Sequence, residues 1–168
     1  MKKIALILEW STDAQSQHEA ALHRLLGNEP LVSDQDVDLL IADNEQNAET
    51  IRCMLDDVGI GYETMEVILL PQDAKLRDSF TDFGVVTPAG HVYIFTQLAA
   101  VFRLSGAHPQ SPQSTTDEPH LAEQQLEEHL LASFIQQPYV WYVIERHLLT
   151  LAEGIARAYG CSVITAAP

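Results

Sequence analysis

Three short apolar runs constrain this chain more than any other feature: residues 3–10, 37–42 and 65–70, the last ended by Pro71. Apolar stretches of that length, bounded by polar residues, suit strands buried on both faces. The segments between them carry a longer period. Thr12 and Gln15 are spaced as in a capping box, and Ala20, Leu22, Leu25 and Leu26 then share one helical stripe that stops at Gly27. Residues 28–35 are rich in turn formers. Asp43 is placed to cap a second helix, in which Ala48, Ile51, Met54, Leu55 and Val58 recur at helical spacing before Gly59. Strand, helix, strand, helix, strand predicts a parallel sheet with helices on its faces and right-handed crossovers.

Beyond Pro71 the pattern changes. Residues 73–80 read as a short helical piece. Residues 83–87 and 91–95 are β-branched or aromatic runs joined by Pro88-Ala89-Gly90, which predicts a hairpin closed at Gly90. Residues 97–104 are apolar at helical spacing. From 105 to 119 the text is SGAHPQSPQSTTDEP, with three prolines, three serines and no large apolar side chain, as expected of a flexible loop. Two helices follow, at 121–137 and 138–159. Val140, Ile144, Leu148, Leu151 and Ile155 draw one stripe on the second, and Pro138 suits its first turn. Residues 161–167 read as a short final strand. The expected organisation is thus an α/β core at 1–104, a flexible loop at 105–119, and a helical pair with a last strand at 120–168 packing on the core.

The 168 residues are 46% hydrophobic, enough for a substantial core. Nine Lys and Arg stand against 24 Asp and Glu, a formal charge of −15. That balance argues against a nucleic-acid binder, which needs clustered Arg and Lys on phosphates. It argues equally against docking on an anionic membrane. No apolar stretch approaches the roughly 18–20 residues that span a bilayer. MKKIALILEW lacks a small-residue cleavage site, so it reads as a first strand and not as a secretory signal. Two cysteines, Cys53 and Cys161, cannot build a disulfide framework and suit a reducing cytoplasm.

Over residues 3–104 the order β-α-β-α-β-α-β-β-α resembles the thioredoxin-like fold. The run NAETIRCMLDDVGIGYETMEV is similar to the glutaredoxin helix and following strand. The run FGVVTPAGHVYIFTQLAAVF is similar to the hairpin and helix of glutaredoxins and of the N-terminal domain of glutathione transferases. The sequence departs from that family at its chemistry. The redox position reads Asp43-Asn44-Glu45-Gln46-Asn47, without Cys or Ser, and Phe83 stands where the family carries a cis-proline. The resemblance therefore implies a redox-inactive relative of glutathione-binding proteins, with a ligand groove at Asp43, Asn44, Asn47 and Phe83.

Cys53 falls inside the second helix with no cation or helix N-terminus to lower its pKa, the setting of a buried structural cysteine. Cys161, after Gly160, is more accessible but also reads as packing. For acid–base chemistry the best segment is Arg77, Asp78 and Asp82 with His91 nearby, where two carboxylates share a site and the guanidinium binds an anion. The competing reading is a helix cap, a solvated turn and an Arg77–Asp78 surface pair. Arg77-Asp78 with the late Gly160-Cys161 also resembles guanidine-modifying deiminases, but the chain is far too short and lacks their central histidine stretch.

Of the seven histidines, His18 and His23 lie on diverging helix faces, and His108 and His120 sit in or beside the loop. Glu127, His129, Glu145 and His147 converge only if the last two helices pack antiparallel. No HxH, HExxH or CxxC spacing occurs, so no metal is expected. His147, on the apolar stripe, reads as a core histidine. Neither a phosphate-cradling glycine loop nor a GxSxG elbow is present, and no cofactor is expected. Tyr139, Trp141 and Tyr142 suit core or dimer packing, or the mouth of a pocket against the 105–119 loop. No basic residue interrupts Arg24 to Arg52, a stretch holding Asp34, Asp36 and Asp38, and none interrupts Arg103 to Arg146. Such stretches are solvated faces or recognition surfaces.

The expected function is a non-catalytic acidic binding module, cytoplasmic, with Asp34, Asp36 and Asp38 as an acidic face for a basic protein partner. The last helix offers a face for a homodimer. The alternative is a small enzyme acting on a polar metabolite at the strand ends, through Arg77, Asp78, Asp82 or His91.

Overall fold

A computed structural model describes residues 2–9, 20, 31–105 and 118–166. The first expected helix, with Thr12, Gln15, His18, His23 and Gly27, lies outside the described residues, as do His108 and most of the 105–119 loop. The described chain is mainly antiparallel β-sheet and divides into two compact units: Met1–Leu69 with Val86–Tyr93, and Leu70–Val85 with Ile94–Pro168.

In the first unit the apolar run near the start is strand β1 (Lys2–Glu9), with Ala5 and Leu6 fully buried. The second apolar run is one arm of a hairpin. Strand β2 (Val32–Asp36) turns at Val37 and Asp38 into β3 (Leu39–Ala42), and the Asp36 carboxylate accepts the Val37 N–H at 2.7 Å to hold the turn. Helix α1 (Glu45–Val58) buries Ala48, Ile51 and Leu55, and β4 (Gly61–Leu70) follows. Across the sheet the order is β2-β3-β1-β4-β7, where β7 is Val92–Phe95.

Both β3 and β4 run antiparallel to β1, with Ala5 opposite Ile41 on one side and Met65 on the other. The thioredoxin-like resemblance and the parallel α/β expectation therefore fail here. A two-residue turn makes β3 the antiparallel partner of β2, and β3 in turn pairs antiparallel with β1. The connection through α1 joins β3 to β4 by stepping over β1.

Helix α1 has a defined start and stop. The N-cap is Asn44, not Asp43: its side chain accepts the Asn47 N–H at 2.9 Å. Asp43 instead meets the buried Lys3 ammonium at 2.7 Å. Gly59, at φ +73°, ends the helix in the left-handed region that favours glycine. On the outer face Arg52 pairs with Glu45 at 2.7 Å and with Glu49. Beneath it, Ile51 and Leu55 pack with Leu6, Leu8 and Leu40, each full burial being worth about 1.5–3 kcal/mol. Cys53 is exposed on this helix, which corrects the buried reading.

The hairpin of β6 (Gly84–Val86) and β7 forms as the sequence predicts. The Thr87 N–H donates to the His91 carbonyl at 2.9 Å, and Gly90, at φ +80°, donates to the Thr87 carbonyl at 2.8 Å.

The second unit holds a sheet in the order β11 (Ser162–Thr165), β8 (Ala99–Ser105), β10 (Tyr139–Glu145), β9 (Leu130–Gln136), β5 (Lys75–Leu76). Residues 73–80 do not form the expected helix: β5 (Lys75–Leu76) is followed by a 3-10 turn, Asp78–Asp82, pinned by the buried Phe80. The expected helix at 97–104 is strand β8 (Ala99–Ser105), whose Phe102 faces Tyr142. The expected helical pair is mostly sheet. Helix α2 (Glu118–Leu126) leads through a 3-10 turn into β9 (Leu130–Gln136), a turn with a cis Gln137–Pro138 bond, and β10 (Tyr139–Glu145). A second 3-10 turn, Arg146–Leu148, precedes helix α3 (Leu149–Ala158) and strand β11 (Ser162–Thr165), which pairs with β8 as the expected final strand.

The core of this unit is Phe102, Leu126, Leu130, Tyr142, Ile144 and Ala152. His147 is exposed in the 3-10 turn, not buried as expected, while Cys161 is buried. No helix among the described residues is long and apolar enough to cross a membrane.

Candidate functional site

The most organised polar cluster in the first unit centres on Asp34. Strand β2 carries a register shift between Val32 and Asp34 that sets Asp34 opposite the buried Ile41, so a carboxylate is buried between the more exposed Ser33 and Gln35. Its side chain is 5% exposed. Oδ2 accepts the Thr87 hydroxyl at 2.7 Å and meets His91 Nδ1 at 2.8 Å, while Oδ1 accepts the Gln35 N–H at 2.9 Å. The Tyr93 hydroxyl also donates to this carboxylate. Burial pushes the Asp34 carboxyl up, and the four donors together outweigh it and hold it below the ordinary aspartate value. Burial, reinforced by the Asp34 charge, pushes the Tyr93 phenol well above its ordinary value, so it stays a donor.

A charged carboxylate only accepts, so His91 carries its proton on Nδ1 and presents Nε2 as the second nitrogen. The carboxylate fixes the orientation of the imidazole and leaves Nε2 turned away from it. Beside it, the β2–β3 turn and the hairpin tip enclose an open groove of about 450 Å3, lined by Asp34, Asp36, Val37, Pro88 and Ala89. Val37 is 65% exposed there.

No family model matches the chain, and no curated protein or solved structure does.

The expected site residues are placed as follows. Asp34, named for an acidic face, is a buried acceptor. Asp36 holds the turn, and Asp38 is exposed beside it with its carbonyl on the Leu8 N–H at 2.7 Å. Asp43, Asn44 and Asn47 lie together where β3 enters α1, occupied with Lys3 and with the helix cap. The groove at this helix, about 540 Å3, is lined by Glu45, Gln46, Glu49, Thr50 and Cys53 instead. Phe83 belongs to the second unit and donates its N–H to the Phe80 carbonyl. Arg77 pairs with Glu127 at 2.9 Å, not with Asp78; Asp78 and Asp82 are exposed on either side of Phe80. His91 belongs to the Asp34 cluster of the first unit, with its own acid 57 residues away.

Among the described residues no group of three or more His, Cys, Asp and Glu is arranged to hold a metal ion. Tyr139 and Trp141 carry the Arg103 guanidinium, 4.0 and 5.9 Å from their ring centroids, while Tyr142 packs on Phe102.

Thr87 and Tyr93 escape sequence reasoning. The available signal was an Asp at an inward position of β2, which demands donors from elsewhere in the fold.

Proposed function

We propose that the chain is a non-catalytic binding module whose acidic surface takes a basic segment of a partner protein, with the β2–β3 turn as its entry point. One observation carries this reading: of the eight described Lys and Arg side chains, six are already engaged, and only Lys75 and Arg157 stand exposed without a described partner. Lys2 pairs with Glu66, Lys3 with Asp43, Arg52 with Glu45 and Glu49, and Arg77 with Glu127. Arg103 lies over two aromatic rings, and Arg146 donates to the Thr96 and Ala99 carbonyls. The formal charge of −15 therefore reaches solvent with few cations able to swing against it, which favours steered encounter with a basic surface.

At the turn, Asp36 and Asp38 flank the exposed Val37 beside Pro88 and Ala89. Acid on both sides of an apolar contact suits a segment that alternates lysine with an aliphatic residue. The test is titration of a blocked Lys-Val repeat peptide, followed residue by residue by amide NMR, with a Glu-Val repeat as control. Amides at 34–38 and 88–89 should shift most. The affinity should fall steeply between about 0.1 and 1 M salt, where the screening length drops from about 10 to about 3 Å. Asp36→Asn with Asp38→Asn should slow association. Asp34 stays intact because it is a structural acceptor. Shifts spread evenly over the acidic residues, or indifference to the double substitution, would remove the turn as a recognition site.

A further inference from the structure

A second groove, in the other unit and distinct from the basic-partner surface, has a different chemistry. Helix α2 packs through the buried Leu126 against the sheet, but its first turn stands off from the ends of β8 and β10. The space left is about 560 Å3, within the range of small-molecule sites. Its apolar lining is Leu104, Pro138 and Val140. Its polar lining includes one carboxylate, Glu123, which is 44% exposed, has His120 Nδ1 at 4.0 Å and lies near enough to the Tyr142 phenol to raise it.

Tyr142 is buried, with its ring 5.6 Å from that of Phe102. Burial, with the Glu123 charge behind it, raises the phenol well above its ordinary value, so its proton stays in place and orients the carboxylate. A carboxylate offers about four acceptor positions, and these two neighbours leave some unfilled. None of the described residues lining the groove is Lys or Arg, and the nearby Arg103 is stacked on Tyr139.

The geometry points to a binding site for an organic cation with an apolar body: an ammonium or guanidinium against Glu123, and a ring or alkyl chain over Leu104, Pro138 and Val140. The same chemistry is carried by a free aryl- or alkylamine and by a lysine side chain in a peptide.

The full-length chain is titrated with 2-phenylethylamine, 2-phenylethanol, phenylacetate and a blocked Ala-Lys-Ala tripeptide, and observed by amide and methyl NMR. The amine should perturb Leu104, His120, Glu123 and Val140 saturably, and phenylacetate should not. Stronger binding of the tripeptide identifies a peptide side chain as the source, and stronger binding of the aryl amine a free metabolite. Glu123→Gln, which keeps an acceptor for Tyr142, should weaken the amine by about fivefold, the worth of one partly exposed ion pair. His120→Glu, an exposed change that does not test the core, should tighten it by a similar factor. The proposal falls if phenylethanol or phenylacetate binds as well as the amine. It falls equally if the shifts map elsewhere, or if neither variant changes the affinity.

Discussion

Removing the Asp34 carboxylate should cost the first unit far more than removing any one of its donors. In Asp34→Ala, two donors become stranded where water cannot reach them: the Thr87 hydroxyl on a residue 3% exposed and the Tyr93 hydroxyl on one 1% exposed. A buried unsatisfied hydroxyl costs about 1–3 kcal/mol, so the pair gives about 2–6 kcal/mol. Gln35 and His91 reach solvent and add little. Thr87→Val keeps the shape and removes one bond to a charged acceptor, worth about 1.5–3 kcal/mol. The double variant neither strands a hydroxyl at residue 87 nor loses the Thr87 bond a second time, so its loss should be smaller than the sum of the singles by about 2.5–6 kcal/mol. Amide hydrogen exchange at Val92 and Tyr93 reads this locally, without treating the two units as one unfolding event. Strictly additive losses, or an Asp34→Ala cost below about 1 kcal/mol, would show that the carboxylate is not the acceptor on which these groups depend.

Two further outcomes follow from the same coordinates. Because the folded Asp34 and Asp43 carboxyls titrate below their unfolded value, the unfolded chain binds more protons in that range. Their stabilisation is complete above an ordinary aspartate pKa of about 3.9 and is lost as pH falls through the folded values; urea midpoints measured through the acid range should decline less in Asp34→Asn than in the parent. Iodoacetamide should label Cys53 in the native protein and Cys161 only after unfolding, since the first is exposed on α1 and the second is buried with its thiol donating to the Tyr159 carbonyl at 3.4 Å. Mass spectrometry of the labelled peptides decides this, and native labelling of Cys161 ahead of Cys53 would contradict both placements.

Much of the local structure was legible, and its direction was not. Residues 3–9, 39–42 and 65–70 of the three apolar runs lie on strands, because an apolar stretch records burial on both faces. It does not record whether the neighbour runs parallel. Nor does it record the reversal between β2 and β3 at Val37 and Asp38, two residues that make a hairpin turn without a glycine and so give no strong turn signal. The stripe Val140, Ile144, Leu148, Leu151, Ile155 misled for a geometric reason. Steps of four return to the same face of a helix and equally to the same face of a strand. Here the first two residues are on β10, with a register shift between Val143 and Ile144, and the last two are on α3. At 97–104 apolar residues at helical spacing suggest helix, but Val101 and Phe102 pair across to β10, and sheet packing prevailed. In the candidate site His91 was visible as a titratable residue, but its acid was not. No local pattern links a histidine after a hairpin turn to an aspartate 57 residues earlier.

The central place of β1 has a consequence for synthesis. This strand precedes both of its partners, β3 and β4, in the chain, and lies between them in the sheet. On the ribosome its two hydrogen-bonding edges and its Ile-Ala-Leu-Ile-Leu side chains emerge well before anything can cover them. The β2–β3 hairpin can close one side early, but the other side waits until β4 has been made. At about 5–20 residues per second that exposure lasts for seconds. A slow codon placed between α1 and β4 would prolong the interval in which one edge of β1 lacks its β4 partner.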